Sequence, residues 1–225
     1  FPVTLSLAVG AFVLWLSVGV SLGILAARKR NEWQDRGATA FVLIGTSLPT
    51  FISGILILLF VALKFNLINP LEMGRWVSPL EDPVAWFRSF IFPWITLALL
   101  YAAGYTRFTR SSVIEISSED YIRTARAKGL NERDILRKHT LRAALAPIVT
   151  LAGLDFAGLL GGAIITEGIF NLLGLGRLSI RAVLNDYDLP TILATTILAA
   201  SFVVIANLLV DILYAYIDPR VRVAS

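Results

Sequence analysis

Two carboxylates interrupt apolar runs of this sequence, and they are its strongest candidates for a chemical role. Asp155 is the only charged residue of the run 143–166, and Asp211 is the only charged residue of the run 190–217. A carboxylate in the centre of a bilayer costs about 2.5–3.5 kcal/mol on insertion scales, so such residues mark functional sites or helix contacts. The chain has no cysteine and a single histidine, His139, which excludes a thiolate metal site and a histidine cluster.

The helical surface around Asp155 divides into a polar face and a small-residue strip. Three residues share the Asp155 face on a helical projection, within roughly 40° of it: Leu159, Gly162 and Thr166. We predict that this face lines a water-filled path; the alternative is a buried carboxylate paired with another helix. Residues at intervals of four form the strip, which suits close helix packing: Gly153, Ala157 and Gly161.

The last apolar run carries a polar stripe near its end. Asp211 lies seven residues before Asp218, and Asn207 and Tyr214 belong to the same stripe. A hydrogen-bonded cluster that holds helices together is favoured there over a contact with a substrate.

Glu167 marks the end of the fourth apolar run and opens a glycine-containing segment. It could form an external gate loop with Phe170, Gly174 and Gly176, or it could be a solvated loop acid. The sequence leaves both possibilities open.

These side chains must be positioned by membrane-spanning helices. The chain has 225 residues, of which 56% are hydrophobic and 16% charged, and its mean hydropathy is +0.74. The uncharged run 41–63 has 23 residues, which at about 1.5 Å each reach roughly 34 Å, enough to cross a bilayer. Because the chain begins with Phe1 rather than Met, we also expect an earlier helix to precede it. Five spans are predicted in the sequence: residues 1–27, 41–63, 90–106, 143–166 and 190–217.

The distribution of basic residues predicts the orientation. Four lie in residues 28–38, nine in residues 107–142 and two in the tail, against five in the opposite loops. The positive-inside rule places the first three segments in the cytoplasm, with the visible N-terminus outside and the C-terminus inside. The net charge of +4 therefore indicates membrane anchoring rather than nucleic-acid binding.

The long basic segment 107–142 has its own helix signals. Ser118, followed by two acids, is typical of a helix N-cap, and Gly129 supplies a C-terminal stop. Asn131, three residues before Asp134, predicts the start of a second helix that continues into the next span. The segment could be a simple linker or a docking element for a soluble partner, with a basic rim around three apolar side chains: Tyr121, Ile122 and Leu130.

The string YIRTARAKGLNERDILRKHTLRAALAPIVT, residues 121–150, resembles the cytoplasmic signature loop of ABC-importer permeases. The dipeptide/oligopeptide/nickel branch is the most similar. Further strings resemble that family's helix starts and last motifs, in order along the chain: FPVTLSLA (1–8), GTSLPTFISGILILLF (45–60), FPWITLAL (92–99), GGAIITEGIFNLLGLGRL (161–178) and NLLVDILYAYIDPRVR (207–222).

Two motifs depart from the wider family. Where the superfamily has Glu-Ala-Ala six residues before the glycine, this chain has Arg123, Thr124 and Ala125, so no coupling glutamate is assigned. Relatives often have Pro-Gly-Leu-Gly in the outer motif, whereas Leu173 stands here in place of the proline.

The resemblance implies an all-α integral membrane protein with the type I ABC-importer transmembrane domain, residues 1–217, and a cytoplasmic tail, residues 218–225. It implies pairing with a homologous permease as a heterodimer, two cytosolic ABC ATPases, an extracytoplasmic substrate-binding protein, and a bacterial or archaeal inner membrane. The chain lacks the G-x-x-x-x-G-K-[ST] phosphate loop, so ATP and Mg are expected in the partners and no cofactor here. Docking of the ATPase is assigned to ten residues: Tyr121, Ile122, Arg123, Thr124, Ala125, Arg126, Ala127, Lys128, Gly129 and Leu130.

The function implied is non-catalytic import of di- or oligopeptides. The same machine could carry nickel or another small solute. Two other classes are an ion-coupled secondary transporter, which would use Asp155, Glu167 and Asp211 as a relay, and a non-transporting scaffold. The secondary transporter leaves the two cytoplasmic helices unexplained, and the scaffold leaves the intramembrane carboxylates without a purpose.

Overall fold

Helices make up the regular structure of the described part of the chain. The computed structural model describes residues 1–60 and 75–217, and these ranges contain no β-strand. The expectations for residues 61–74 and for the tail, with Asp218, lie outside the described residues, as do the side chains of Asp211 and Tyr214. In chain order the α-helices are α1 (Pro2–Arg28), α2 (Trp33–Ser47), α3 (Thr50–Ile57), α4 (Pro83–Ser117), α5 (Asp120–Ala127), α6 (Glu132–Asp134), α7 (Leu141–Leu160), α8 (Ile164–Ile169), α9 (Leu175–Arg181) and α10 (Leu189–Ile217). Two π-helical segments are Ile135–Thr140, between α6 and α7, and Ala182–Asp186, after α9.

Four helices of the described chain are long and apolar enough to cross a membrane by themselves. They are α1, α4, the continuous helix Glu132–Leu160 and the part Leu189–Leu209 of α10. The pair α2–α3 passes the same test only when it is taken together. The five predicted spans therefore correspond to four continuous helices and one bent pair.

The break in the second span has a local cause. Helix α2 and the helix that begins at Thr50 meet at 100°. Pro49 stands at the junction, and Leu48 before it has the extended backbone that a following proline favours, with φ −98° and ψ 112°. The second predicted span, 41–63, is therefore bent at Pro49 within its described part, and residues 61–63 lie outside the described residues.

The fourth span also ends earlier than expected. Helix α7 stops at Leu160, and Gly162 has a φ of +112°, a conformation that favours glycine. The backbone of Gly176 comes so close that a methyl group added at Gly162 would lie 2.6 Å from its nitrogen. Because the helix is broken here, Gly162 and Thr166 do not share a helical face with Asp155, and that prediction was wrong.

Helix α4 is much longer than the predicted third span. Asp82 caps its start, accepting hydrogen bonds from the backbone N–H groups of Val84 and Ala85. Its 35 residues measure about 52 Å, well beyond the ~30 Å of a hydrocarbon core. Ser118 closes α4 rather than opening the next helix, since its hydroxyl donates to the carbonyl of Glu115. The expected N-cap role of Ser118 is thus corrected.

The core lies where α1 runs along α4. Two α1 glycines permit the approach: a methyl group added at Gly19 would lie 2.7 Å from Cβ of Tyr105, and one at Gly23 2.5 Å from Cβ of Thr109. Trp15 is buried beside them and stacks on Tyr101, with ring centroids 4.6 Å apart. Helix α7 covers this pair, and α10 packs against α7.

Candidate functional site

The turn after α5 has the geometry of a Schellman motif. The Gly129 N–H donates to the Arg126 carbonyl at 2.9 Å, and the Leu130 N–H donates to the Ala125 carbonyl at 3.3 Å. Gly129 takes a φ of +78°, as this motif requires. Asn131 then caps the next helix, accepting from the Arg133 N–H at 3.0 Å. The predicted glycine elbow and asparagine cap are both present.

The inner side of α5 is anchored within the chain. Ile122, with none of its surface exposed, packs with Ala125 and Ile135 in a separate small hydrophobic cluster. Ile122 and Ala125 are therefore unavailable to a partner, and assigning them a docking contact was wrong. The α-helical period turns their side chains towards the following helix.

The outer side of α5 is exposed and mixed in character. Tyr121 is 48% exposed and Leu130 is 44% exposed, which makes them the apolar points of this surface. We call the surface formed by the exposed residues of 121–130 the outer α5 surface. It comprises Tyr121, Arg123, Thr124, Arg126, Ala127, Lys128, Gly129 and Leu130.

Arg126 braces the elbow. Its Nε donates to Oε1 of Glu132 at 2.7 Å and its Nη2 to Oε2 at 3.4 Å, while Nη1 reaches the Ser117 carbonyl at 3.4 Å. One side chain thereby links the end of α4, helix α5 and the start of α6. An exposed pair of this kind adds little stability.

Asp155 lies at the boundary between α7 and α4. The Tyr105 hydroxyl donates to its Oδ2 at 2.6 Å. Asp155 also lines a cavity of about 320 Å³, together with Tyr101, Thr46 and Leu151. Asp155 is thus both paired with another helix and part of a cavity wall, so the two predicted alternatives do not exclude each other. Leu159 does not belong to this face, because it is buried in the main core, which corrects its predicted place on a path.

Glu167, in α8, is fully buried. Its Oε1 accepts from the Thr4 hydroxyl and its Oε2 from the Arg177 N–H, both at 2.8 Å. Thr4 in turn accepts from the Leu175 N–H at 2.8 Å. We call these four residues the Glu167 knot. The alternative of a solvated loop acid is therefore wrong, since donors from α1 and α9 satisfy the carboxylate.

Glycines make room for the Glu167 knot. A methyl group added at Gly174 would lie 2.3 Å from the carboxylate carbon of Glu167, and one at Gly176 would lie 2.8 Å from the Ile164 side chain. Phe170 is buried in the main core below. Of the four residues expected to form an outer gate loop, Glu167 and Gly174 are thus in contact, Gly176 packs on Ile164 and Phe170 belongs to the main core.

A protein-family model described as "Binding-protein-dependent transport system inner membrane component" matches residues 19–223. The chain belongs to this family. Its members are membrane components of transporters, so the helices described above are those of a permease.

Curated relatives support the same assignment. The chain is 39% identical over 223 residues to the glutathione transport system permease protein GsiC of Escherichia coli K12, covering 99% of this chain and 69% of GsiC. It is 40% identical over 221 residues to a Brucella abortus protein with the provisional name of a peptide transport system permease, covering 98% and 69%.

A solved structure confirms the fold. A chain from an inward-facing crystal form of the MetNI methionine ABC transporter superposes with a TM-score of 0.74, over 96% of this permease and 93% of that chain. The sequence identity is 19%, so the likeness concerns the fold. The predicted type I ABC-importer transmembrane fold is confirmed.

The small-residue strip of the permease is divided between two neighbours. A methyl group added at Gly161 would lie 3.8 Å from Cβ of Ala199 in α10. Ala157 is buried, whereas Gly153 lines a groove between α1 and α7. Asn207 has a buried Oδ1 without a hydrogen-bond donor among the described residues, and its expected partner Asp211 has no described side chain.

Two features of the permease were missed from the sequence. Arg110 forms a bidentate ion pair with buried Asp35, Nε to Oδ1 at 2.6 Å and Nη2 to Oδ2 at 2.9 Å, which fastens α2 to α4. Residues 75 positions apart give no local signal for this pair. Gly19 and Gly23, by contrast, form a G-x-x-x-G motif in an apolar run, which predicts a close helix contact on this face of α1 but does not name the partner helix.

Proposed function

We propose that this chain is a permease subunit of an ATP-driven importer of di- and oligopeptides and forms half of its transmembrane pathway. Family membership and the cargo in the names of the relatives support the class of substrate. The observation that carries the coupling role is the outer α5 surface, which offers Tyr121 and Leu130 to solvent while Ile122 secures the helix from behind.

Two cytosolic ATPases dock on the outer α5 surface and its counterpart in a homologous permease. A movement of α5 reaches the membrane along two routes, through Arg126 to the end of α4 and through the Ile122–Ile135 contact to the helix of α7. That helix is continuous from Glu132 to Leu160. The 20 residues between Ile135 and Asp155 measure about 30 Å, so it acts as a lever across the bilayer.

The rest of the assembly follows from this assignment. Residues 1–217 form one ABC transmembrane domain with the visible N-terminus outside, and residues 218–225 form a cytoplasmic tail. The permease pairs as a heterodimer, and an extracytoplasmic binding protein delivers the peptide. The cavity at Asp155 belongs to the pathway, and the Glu167 knot shapes the outer gate. ATP and Mg are bound by the ATPases, and the permease itself catalyses no reaction.

Reconstitution of the complete transporter in proteoliposomes tests the proposal. We expect ATP turnover that rises with binding protein and peptide, and peptide uptake that stops without the ATPases. Uptake driven by an ion gradient alone would overturn the proposal in favour of a secondary transporter. Stimulation by nickel chelates but not by peptides would show that the chain belongs to an ATP-driven importer with a different substrate.

The docking surface has its own test. The double variant Tyr121→Ala/Leu130→Ala removes two exposed apolar anchors, each worth about 1–2 kcal/mol at an interface core, so ATPase binding should weaken at least tenfold. Trp33→Ala is the matched control, because Trp33 is exposed and lies in another segment predicted to be cytoplasmic. Equal ATPase capture by the double variant and the wild type would show that docking occurs elsewhere.

A further inference from the structure

A large polar cavity lies where α1 ends and the α5–α6 elbow begins. It has a volume of about 770 Å³, and Arg28 at the end of α1 and Ser117 at the end of α4 form part of its wall. The elbow and the π-helical segment complete it with four charged residues: Arg126, Glu132, Arg133 and Arg137. The cavity thus opens at the predicted cytoplasmic boundary of the membrane.

The charges around this cavity do not balance. Its one acid, Glu132, is already paired with Arg126. The side chains of Arg28, Arg133 and Arg137 are exposed, and their guanidinium groups have neither a hydrogen-bond nor an ion-pair partner among the residues that the structure describes. Three guanidinium groups around one cavity repel each other, and guanidinium groups bind phosphate in a bidentate manner. The cavity is therefore complementary to a phosphate-bearing anion.

An apolar groove lies between α1 and α7, on the membrane side of the cavity. It has a volume of about 450 Å³ and is lined on α1 by Phe12, Leu16 and Val20 and on α7 by Leu145 and Ala152. On α1 the groove occupies residues 12–21 and the cavity residues 27–28. At 100° per residue, positions 27 and 28 lie on the face that positions 12–21 present to the groove.

The dimensions of groove and cavity are those of one lipid in one leaflet. The groove spans ten residues of α1, from Phe12 to Ser21, and the nine helical steps between them measure about 14 Å, close to half of the ~30 Å hydrocarbon core. Arg28 lies seven residues further, about 10 Å beyond the groove and at the depth of the headgroups. On the antiparallel partner helix, Gly153 and Arg137 are the corresponding limits, 16 residues apart like Phe12 and Arg28.

We propose that the α1–α7 seam binds one anionic phospholipid, whose phosphate lies in the arginine cavity and whose acyl chain lies in the apolar groove. A free phosphate compound shares the headgroup chemistry, but it would leave the groove without a purpose. Since the cavity also borders Arg126 and Glu132, a bound lipid would influence the conformation of the α5–α6 elbow. The inference does not depend on the peptide cargo, so its failure would leave the proposed function standing.

Headgroup recognition is tested with the complete transporter in nanodiscs of defined lipid. Native mass spectrometry counts retained lipids after exchange into phosphatidylglycerol or phosphatidylcholine. We expect Arg133→Gln/Arg137→Gln to lower phosphatidylglycerol retention about tenfold and phosphatidylcholine retention by less, because the choline group offsets the charge of its phosphate. Arg107→Gln/Arg142→Gln removes the same charge from exposed positions outside the cavity and should retain lipid as the wild type does. Equal retention by both double variants would overturn the proposal.

The acyl-chain position distinguishes a lipid from a free phosphate or a second polypeptide. A phosphatidylglycerol with a photoreactive diazirine in its acyl chain should label peptides of residues 12–21 and 145–153, and the cavity variant should lose this labelling. Phosphate-sensitive binding without groove labelling would show a free-anion site and overturn the lipid. Crosslinking of the groove to another polypeptide in the assembled transporter, with no lipid label, would assign the seam to a protein contact instead.

Discussion

Glu167 shows how a carboxylate is kept in an apolar bundle without a cationic side chain. The Glu167 knot supplies a hydroxyl from α1 and a backbone N–H from α9, and both bonds are 2.8 Å long. Thr4 donates to the acid and accepts from Leu175, so one hydroxyl joins two segments 171 residues apart. Such a satisfied network fixes a unique arrangement, because any displacement leaves buried donors unpaired.

We predict a graded response at Glu167. Glu167→Ala leaves the Thr4 hydroxyl and the Arg177 N–H without acceptors and opens a cavity, a loss of about 3–5 kcal/mol. Glu167→Gln can still accept from Arg177 and donate to Thr4, at a cost of about 1 kcal/mol. At about 2–4 °C per kcal/mol, Tm in detergent should fall by at least ~6 °C for Ala and by less than ~4 °C for Gln.

The exposed acid Glu81 provides the control for this series, and Glu81→Ala should leave Tm unchanged. If Glu167→Ala melted at the wild-type temperature, the knot would contribute nothing to stability.

Asp155 combines a helix contact with a place on a cavity wall. Tyr105 occupies one carboxylate oxygen, and Oδ1 has no hydrogen-bond donor among the described residues. That free oxygen is available to a passing polar group. Asp155→Ala should lower peptide uptake about tenfold, because a hydrogen bond to a charged group contributes about 1.5 kcal/mol.

Tyr105→Phe keeps the carboxylate and its free Oδ1, so it should lower uptake less than Asp155→Ala does, by no more than about fivefold. Both variants should assemble with their partner subunits at the wild-type yield. Unchanged uptake kinetics in Asp155→Ala would remove this residue from the pathway.

At the scale of elements, the elbow between α5 and α6 owes its angle to one glycine. Gly129 is left-handed, yet a methyl group added there would meet no heavy atom within 4 Å. Substitution therefore introduces backbone strain without a steric clash. An alanine substitution at Gly129 thus changes the angle of the elbow and adds only one methyl group to the outer α5 surface.

Gly129→Ala should strain the elbow by about 1–2 kcal/mol and weaken ATPase binding roughly fivefold or more. Gly37→Ala is matched, since its added methyl group also meets nothing within 4 Å but its backbone lies inside helix α2. Alanine there should be neutral or stabilising by up to about 1 kcal/mol. Equal ATPase affinity of the two variants, measured by titration in nanodiscs, would show that the elbow does not set the docking geometry.

At the scale of the whole molecule, the α1–α4 seam holds the bundle together. It is the most extensive helix contact of the described chain, and Gly19 and Gly23 allow the two backbones to approach. In lipid, apolar side chains gain little by leaving the solvent for each other, so close packing supplies the association energy. Asp35 and Arg110 add a polar tie between α2 and α4 beside it.

Gly23→Ala should destabilise the bundle by about 1–3 kcal/mol, the usual cost of overpacking, because its methyl group would lie 2.5 Å from Cβ of Thr109. Gly104→Ala, on α4 and with no heavy atom within 4 Å of the added methyl group, is the control. Chemical denaturation in mixed micelles would measure both. A Gly23→Ala variant as stable as Gly104→Ala would mean that the seam relaxes without loss.

The sequence alone determined which runs of the chain are apolar enough to span a membrane, the family and the signals of the elbow. Hydropathy depends on successive side chains, and the Asn131 cap and the Gly129 stop act within a few residues, so all of them can be recognised locally. Local signals also misled. Ser118, a serine followed by two acids, has the sequence signal of an N-cap. It nevertheless closes α4, because the long helix before it continues as far as Ser117.

Only the tertiary structure decided which of these residues face a partner and which face the chain itself. Ile122 is buried because Ile135 packs on it, and Glu167 is buried because Thr4, 163 residues away, reaches it. The break at Gly162 exists because the backbone of Gly176 crosses there. Each outcome depends on the approach of distant segments, and the free energy of such contacts cannot be read from the neighbouring residues in the sequence.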